Sequence, residues 1–215
     1  MQASRAKTIG RVIAITALLS GVLVMAILLN RPATASSQIT LTLNANGDVI
    51  QLTKKNLTSP DPNTYNYQAV DEIPVNTRDF VENGVSQTTK YDLYQLIDPA
   101  ETSAENLVVT VYYYVKGGWQ CTAKPVLKLN GTELRGTAWV APSGTAYWYA
   151  LSQVMSRPGG GTWQWSDLTS LQAGVELYAS QTRYIDCAQV YVTVTYDLVT
   201  YQPRPISVCP DSQFY

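Results

Sequence analysis

The chain of 215 residues contains no histidine, few charged residues and only two phenylalanines. Without histidine it lacks the base of Ser-His-Asp and Cys-His catalysis, the imidazole ligands of many zinc sites and the C-x-x-C-H motif for haem attachment. Charged residues make up 14 % of the chain, below the roughly one quarter that is typical of soluble domains. These absences favour a non-enzymatic protein, for which we expect neither a cofactor nor a metal ion.

The aromatic residues that are present nearly all carry a polar group. The chain has 15 tyrosines and five tryptophans beside its two phenylalanines. Side chains of this kind suit β-strands and surfaces that touch water. The composition therefore favours a β-rich body.

The N-terminal segment has the features of a membrane-inserted or exported protein. Residues 1–31 carry four basic residues and no acidic one, and residues 12–30 are uncharged. A helix over 12–30 spans about 28 Å, close to the thickness of a bilayer core. Because three of the four basic residues precede this stretch, the positive-inside rule places the N-terminus in the cytoplasm and the rest outside.

Three interpretations of this segment remain open. The length of the uncharged run favours a retained signal anchor. The small-x-small sequence at 33–35 suits cleavage by a signal peptidase, which would release a secreted domain. The short basic leader ending at Gly10 resembles the leaders cut by prepilin peptidases, with Arg11 as the start of an assembly helix, although Ile15 stands where bacterial type IV pilins usually carry glutamate.

Beyond residue 35 the pattern is that of short strands separated by turns. Alternating apolar and polar residues predict strands, and clusters of Asn, Gly, Pro and Asp predict turns. Strands are expected at 38–43, 49–52, 90–97, 107–115, 122–129, 134–140, 145–154, 175–179 and 188–196, with short extended pieces at 67–70 and 71–75. Turns are expected at 44–48, at 82–84 and at the Asn130-Gly131 hairpin, and one short helix is expected from Ser166, which can cap it, to Gly174.

These strands predict a mainly β fold. Alternation, rather than continuous apolar runs, favours antiparallel sheets with one wet face. We expect one antiparallel β-sandwich over residues 36–200, after the hydrophobic α-helix of the 1–35 segment and before a proline-rich tail at 201–215.

Two runs near the C-terminus carry a resemblance to a known class of domains. They are W-x-W-S-D-L-x-x-L-Q-A-G-V-E-L at 163–177 and A-Q-V-Y-V-T-V-T-Y at 188–196, with V-D-E-I-P at 70–74 and Y-D-L-Y-Q-L at 91–96 upstream. Together they resemble jelly-roll-type domains of secreted bacterial and archaeal surface proteins, over residues 65–197. The resemblance implies a jelly-roll-like sandwich with an extracellular structural or adhesive role.

Export makes disulfides possible, and the chain has three cysteines. We predict a bridge between Cys121 and Cys187, which would contribute about 4 kcal/mol on a loop-entropy model. Cys209 would then be free or would pair between chains. A Cys187–Cys209 bridge and three free thiols are the alternatives.

Among the tryptophans, Trp119 is the candidate for stacking on a sugar, since it follows two glycines in an expected loop; the others suit the core. Two asparagines lie in glycosylation sequons, Asn56 and Asn130. Acids and amides in the turns offer oxygen ligands to calcium or a pair of glycosidase carboxylates. No stretch has the spacing of a calcium loop, so we interpret them as solvated turns: Asp71, Glu72, Asp79 and Glu82, and Asp48 with Asn44 and Asn46.

Outside the first 31 residues, 11 basic and 16 acidic residues remain. This balance argues against nucleic acid as a partner, because phosphate binding needs a basic patch. The sequence therefore predicts an extracytoplasmic structural or adhesive protein at the membrane or cell surface. It would associate with its own copies or other surface proteins, in its sharpest version as the subunit of a pilus-like filament. The alternative function is a carbohydrate-binding module.

Overall fold

The computed structural model describes residues 36–51, 53–56, 65–84, 87–100, 104–144 and 146–199. Strands dominate these ranges, with short 3₁₀ helices at Asn66–Ala69 and Trp165–Ser170. In chain order the strands are β1 (Ser36–Gln51), β2 (Lys54–Asn56), β3 (Phe80–Asn83), β4 (Thr88–Leu96), β5 (Ala104–Gly117), β6 (Thr122–Leu129), β7 (Thr132–Arg135), β8 (Trp139–Val140), β9 (Trp148–Met155), β10 (Gln172–Ala179) and β11 (Ile185–Val199). The prediction of a mainly β fold is confirmed.

The predicted N-terminal helix at 12–30 and the tail at 201–215 lie outside the described residues. Within the described ranges, no helix is long and apolar enough to cross a bilayer.

The strands form one curled antiparallel sheet that has two parts. We call these groups of paired strands the first ladder and the second ladder. In the first ladder β11 is central, with β5 and then β9 on one side and β1, β3 and β2 on the other. In the second ladder the order is β1, β4, β10, β6, with β7 and β8 both on the outer edge of β6. Strand β1 joins the two, because its first half pairs with β11 and its second half with β4.

Strand β1 runs through the turn predicted at 44–48, so that prediction is wrong. The register shifts between Ala45 and Gly47, and again between Asp48 and Ile50. Such bulges bend a strand without ending it, and here they fall where β1 changes partners. The carboxylate of Asp48 accepts hydrogen bonds from the backbone N–H groups of Asn66 and Tyr67, at 2.8 and 2.7 Å. A turn-type sequence thus serves a bend within one strand.

The predicted alternation of side chains is confirmed in β5 and β11, which pair with each other. On β11, Val190, Val192 and Val194 are fully buried. On β5, Leu107, Val109, Val111, Tyr113 and Val115 are buried. Side chains from both ladders join in one apolar cluster, which includes Leu127 of β6 and Leu177 of β10. Burial of this cluster is the main stabilising term of the fold.

Three further segments differ from expectation. The extended pieces expected at 67–70 and 71–75 are not strands: Asn66–Ala69 forms a 3₁₀ helix, and residues 71–75 form no regular structure. The turn expected at 82–84 falls instead at the end of β3. The strand expected at 134–140 divides into β7 and β8, both of which pair with β6. The Asn130-Gly131 hairpin before β7 is confirmed, with φ of 49° and 84°.

The expected helix at 166–174 is shorter and begins earlier, at Trp165. Its first turn is closed by Asp167, whose carboxylate accepts a hydrogen bond from the N–H of Gln164 at 2.9 Å. Ser166 does not cap it, since the cap position is Gln164. Gly174 is not the helix exit but lies inside β10, where a Cβ atom would fall 1.9 Å from the carbonyl oxygen of Asp92. Glycine is required there by the close approach of two backbones.

Candidate binding cleft

One end of the first ladder brings a turn, two cations and several aromatic rings together. The register of β5 and β11 sets Gly117 opposite Ile185 and Lys116 opposite Asp186. Consequently the residue that follows β5 meets the residue that precedes β11, and the N–H of Gly118 donates to the carbonyl of Tyr184 at 3.2 Å.

The turn after β5 is held by hydrogen bonds from both sides. The N–H of Cys121 donates to the carbonyl of Gly118 at 3.0 Å, and Gln120 takes a φ of 65°. The hydroxyl of Ser180 donates to the carbonyl of Trp119 at 2.8 Å. The Trp119 side chain itself is 55 % exposed, as its place after two glycines predicts. A fixed backbone therefore presents an exposed indole.

A cleft of about 310 Å³ opens beside this turn. We call it the β5–β11 cleft, and it is lined by Lys116, Gly118, Gly144, Ala146, Arg183 and Tyr184. The aliphatic part of the Arg183 side chain packs on Gly118 so closely that a Cβ atom there would lie 2.8 Å from it. Arg183 also closes a turn, since its N–H donates to the carbonyl of Ser180 at 3.0 Å.

Lys116 is the second cation of the cleft and has three neighbours. Its ammonium nitrogen lies 5.5 Å from the centre of the Trp148 ring and 5.8 Å from that of Tyr184. It also lies 3.6 Å from a carboxylate oxygen of Asp186. The two ring contacts fall within the usual range for cation–π attraction.

Asp186 is an unusual partner for Lys116, because it is 1 % exposed. Its Oδ1 accepts no hydrogen bond from any described residue. Burial raises the pKa of the Asp186 carboxyl to about 7; Lys116 opposes this rise and Glu82 adds to it. Near neutral pH the carboxyl is therefore only partly ionised, and it neutralises Lys116 only in part. Arg183 forms no ion pair with a described residue.

Beside the cleft, an aromatic row covers the outer face of the first ladder. Tyr114 stacks on Trp148 with ring centres 5.4 Å apart, and Tyr112 stacks on Tyr191 at 4.9 Å, each pair at 3° between planes. Phe80 of β3 contacts the Trp148 ring edge to face at 6.2 Å. Because stacked cross-strand rings cover each other's faces, the row offers mainly edges and polar groups to the outside.

A larger cleft of about 510 Å³ lies between the start of β5, the end of β9 and the glycine loop that follows it. Its cation is already paired, because the Arg157 guanidinium donates to both carboxylate oxygens of Asp167 at 2.8 and 2.9 Å. Trp163 of this cleft is 9 % exposed, and its indole N–H donates to the carbonyl of Met155. The larger cleft therefore has no cation free for a ligand among its described lining residues.

The predicted disulfide is not formed in the structure. Cys121 and Cys187 are both buried free thiols. The sulfur of Cys121 lies 3.5 Å from the carbonyl oxygen of Tyr184, whereas the thiol of Cys187 donates to the carbonyl of Gln189. A Cβ atom at Gly117 would lie 3.2 Å from both Cys121 and Ile185, so Cys121 lies beside Ile185. Cys187 is two positions, about 6.6 Å, further along β11. Cys209 lies outside the described residues.

The other residues singled out from the sequence do not form a site. Asn130 is exposed at the tip of the β6–β7 hairpin, and Asn56 ends β2, with the rest of its sequon outside the described residues. Asp48 holds the 3₁₀ helix, and Asp79 accepts a hydrogen bond from the Asn76 side chain at 2.8 Å. Within the described ranges, no three His, Cys, Asp or Glu residues are grouped so as to hold a metal ion.

The sequence did not point to Arg183, Lys116 or Asp186. Lys116 is distant along the chain from the other two, and only the register of β5 and β11 brings it to them. The one local signal was the glycine pair at the end of β5, which marked the turn that carries Trp119.

No protein-family model and no curated protein matches the chain. Among solved structures it is similar to the enzymatically active domain of tailspike protein 4 of bacteriophage CBA120, at 11 % identity and a TM-score of 0.35, over 72 % of this chain and 19 % of that chain. It is also similar to a chain of Broad Bean Stain Virus, at 12 % identity and a TM-score of 0.23, over 82 % of this chain and 97 % of that one. The chain thus spans about a fifth of the tailspike chain. At these TM-scores the likenesses carry no argument about function.

Proposed function

We propose that the chain is a non-enzymatic structural or adhesive protein outside the cytoplasm, and that its curled sheet is a jelly-roll-like β-sandwich. The sharing of β1 between two ladders and their common apolar cluster support the sandwich. The uncharged segment at 12–30 supports export or anchoring, and its use as an assembly helix would make the chain the subunit of a pilus-like filament.

The observation that carries this proposal is the aromatic row. Its rings are partly exposed on a sheet face, although nearly all other large apolar side chains of β5 and β11 are buried. Tyrosine and tryptophan are enriched where proteins contact each other, because they bury much area and still offer a polar group. The row is therefore the surface through which copies of the chain, or other surface proteins, would associate.

The test is made on the full chain, expressed in cells that export it. Surface material is sheared from the cells, sized by sedimentation and inspected by electron microscopy, and the native N-terminus is sequenced. We expect polymers of the chain. A start at Met1, Arg11 or Ser36 then distinguishes an anchor, an assembly helix and a secreted domain. Chains that sediment only as monomers in detergent contradict the filament version.

Paired variants test the role of the row. Replacing Tyr112 and Tyr191 together by serine removes one stacked pair, and we expect the sedimenting fraction to fall. The matched control is Tyr178→Ser, which changes a partly exposed tyrosine on β10 of the second ladder. An equal loss in both variants would contradict the assignment of the contact surface to the row.

The exposure of Trp119 favours a second candidate function, a carbohydrate-binding module. A fixed, exposed indole can stack on the apolar face of a sugar ring. A glycan array probed with the full chain and with Trp119→Ala tests this function. Binding that the substitution abolishes supports it, and an absence of binding to millimolar sugar contradicts it.

A further inference from the structure

We propose that the β5–β11 cleft binds the carboxylate of an acidic sugar, with Arg183 and Lys116 as the anion-binding groups and Tyr184 beside the sugar ring. This inference rests on the second candidate function and adds a ligand class and a site to it.

The charge of the cleft favours an anion. Arg183 is exposed and forms no ion pair within the described ranges, so its guanidinium can donate two parallel hydrogen bonds to a carboxylate. Lys116 is 3.6 Å from Asp186, longer than the roughly 2.7–2.9 Å of a charge-assisted hydrogen bond. The ammonium group therefore keeps donors for a ligand, and no described carboxylate lines the cleft.

The shape of the cleft is fixed before any ligand arrives. Gly118 and Tyr184 are joined by a backbone hydrogen bond, and the Arg183 stem lies against the bare Cα of Gly118. Holding a long side chain in place in advance reduces the conformational entropy lost on binding. The volume of about 310 Å³ is at the small end of ligand clefts, which run from roughly 300 to 1,000 Å³. It suits a single sugar ring.

Exposed aromatic side chains concentrate at this end of the molecule, which favours a sugar over a bare anion. Among the described residues with large exposed apolar side chains, four are aromatic. Three of these four belong to the cleft or adjoin a lining residue: Tyr184, Trp119 after Gly118, and Tyr147 after Ala146. Rings around a pair of cations match a ligand with one charged group and apolar ring faces.

The experiment titrates the full chain with trisaccharides of galacturonic acid and of glucuronic acid, followed by tryptophan fluorescence and calorimetry. The methyl ester of each trisaccharide is the matched ligand without charge. We expect at least one acid to bind about tenfold more tightly than its ester, as the loss of a charge-assisted hydrogen bond implies. Increasing salt should weaken the acid more than the ester.

Variants locate the binding. Arg183→Gln should weaken the acid about tenfold and leave the ester unchanged. Gly118→Ala should weaken it as well, because the new Cβ displaces the Arg183 stem. The matched control is Arg78→Gln, an exposed arginine outside the cleft, which should have no effect. Circular dichroism spectra that match the wild type show that the variants fold.

Three outcomes overturn the proposal. Equal binding of acid and ester, sensitive to Trp119→Ala, overturns the ligand class but leaves the carbohydrate-binding function standing. Binding of inorganic sulfate that depends on Arg183, without binding of either acid, overturns sugar recognition. An absence of binding to all of these probes, together with a negative glycan array, overturns both the site and the candidate function.

Discussion

Replacing Asp186 by asparagine should make the protein more stable at alkaline pH and leave its stability nearly unchanged at acidic pH. Asp186 is 1 % exposed, one of its oxygens accepts no hydrogen bond from a described residue, and its cationic partner is 3.6 Å away. An ionised carboxylate in this position is poorly compensated. Asparagine has nearly the same shape and never ionises, so it removes the charge and little else.

The size of the effect follows from the pKa of Asp186. Burial raises it from 3.8 to about 7 in the folded protein. Between these two values the folded state binds more protons than the unfolded state, so the free energy of unfolding falls as pH rises through this window. A difference of about 3 pH units corresponds to about 4 kcal/mol. The stabilisation by the substitution should therefore grow from near zero at about pH 4 to about 4 kcal/mol above about pH 7.

The assay is guanidinium unfolding of the full chain and the Asp186→Asn variant, followed by tryptophan fluorescence with a thiol reductant present, at several pH values. Other titrating groups are common to both proteins and cancel in the difference. Lys116 loses its partner in the variant, but it is 27 % exposed and remains solvated. A difference in unfolding free energy that stays constant across this pH range would refute the reasoning.

Further predictions concern packing, charge and thiols. Gly174→Ala should destabilise the fold by about 3 kcal/mol or more, because the new methyl group overlaps the backbone of β4. The control in thermal unfolding is Gly47→Ala, where the nearest contact of a new Cβ atom is 3.9 Å. Similar melting temperatures for the two variants would contradict the predicted overlap. Burial raises the pKa of Glu176, but hydrogen bonds from a lysine and an arginine outweigh burial and lower this pKa below its ordinary value. The ionised carboxylate therefore stabilises the fold above its unfolded pKa, and this stabilisation is lost as pH falls. Glu176→Gln should cost about 1 kcal/mol at neutral pH and nothing in acid by chemical unfolding, and a loss that persists in acid would point to packing instead. Cys121 and Cys187 are buried thiols, so both should resist alkylation in the native protein and react after denaturation, which peptide mapping without reductant can show; a linked pair of peptides would contradict the structure.

The sequence was a good guide to the fold wherever a strand's burial is set by its own alternation. Val190, Val192 and Val194 belong to the core because β11 is buried on one face, and that pattern is local. Asn46-Gly47 was misleading, because the same residues suit a tight turn and a bulge, and the choice depends on β4 and β11 as partners. Gly174 was misread for the same reason, since its neighbour is a backbone from another strand.

The cleft was much less accessible to sequence reasoning. Trp119 was found because two glycines mark a turn, which is a local signal. Arg183 and Lys116 carry no such signal, since neither lies in a motif and each alone reads as an ordinary surface cation. Their proximity is a property of strand register, and a register that is one residue different would direct Lys116 to the opposite face.

The same register joins the stability of the sheet to the chemistry of the cleft. Gly117 pairs with Ile185, which belongs to the apolar cluster, so core packing fixes the backbone beside this pair. The side chains are held mainly by packing: Lys116 lies beside the rings of Trp148 and Tyr184, and Arg183 packs against Gly118. Asp186 is buried and only partly ionised near neutral pH, so it leaves part of the positive charge of Lys116 in place. Full neutralisation of Lys116 would weaken the attraction of the cleft for an anion. It follows that substitutions in the core at this end of β5 and β11 should weaken anion binding even where they touch no residue of the cleft.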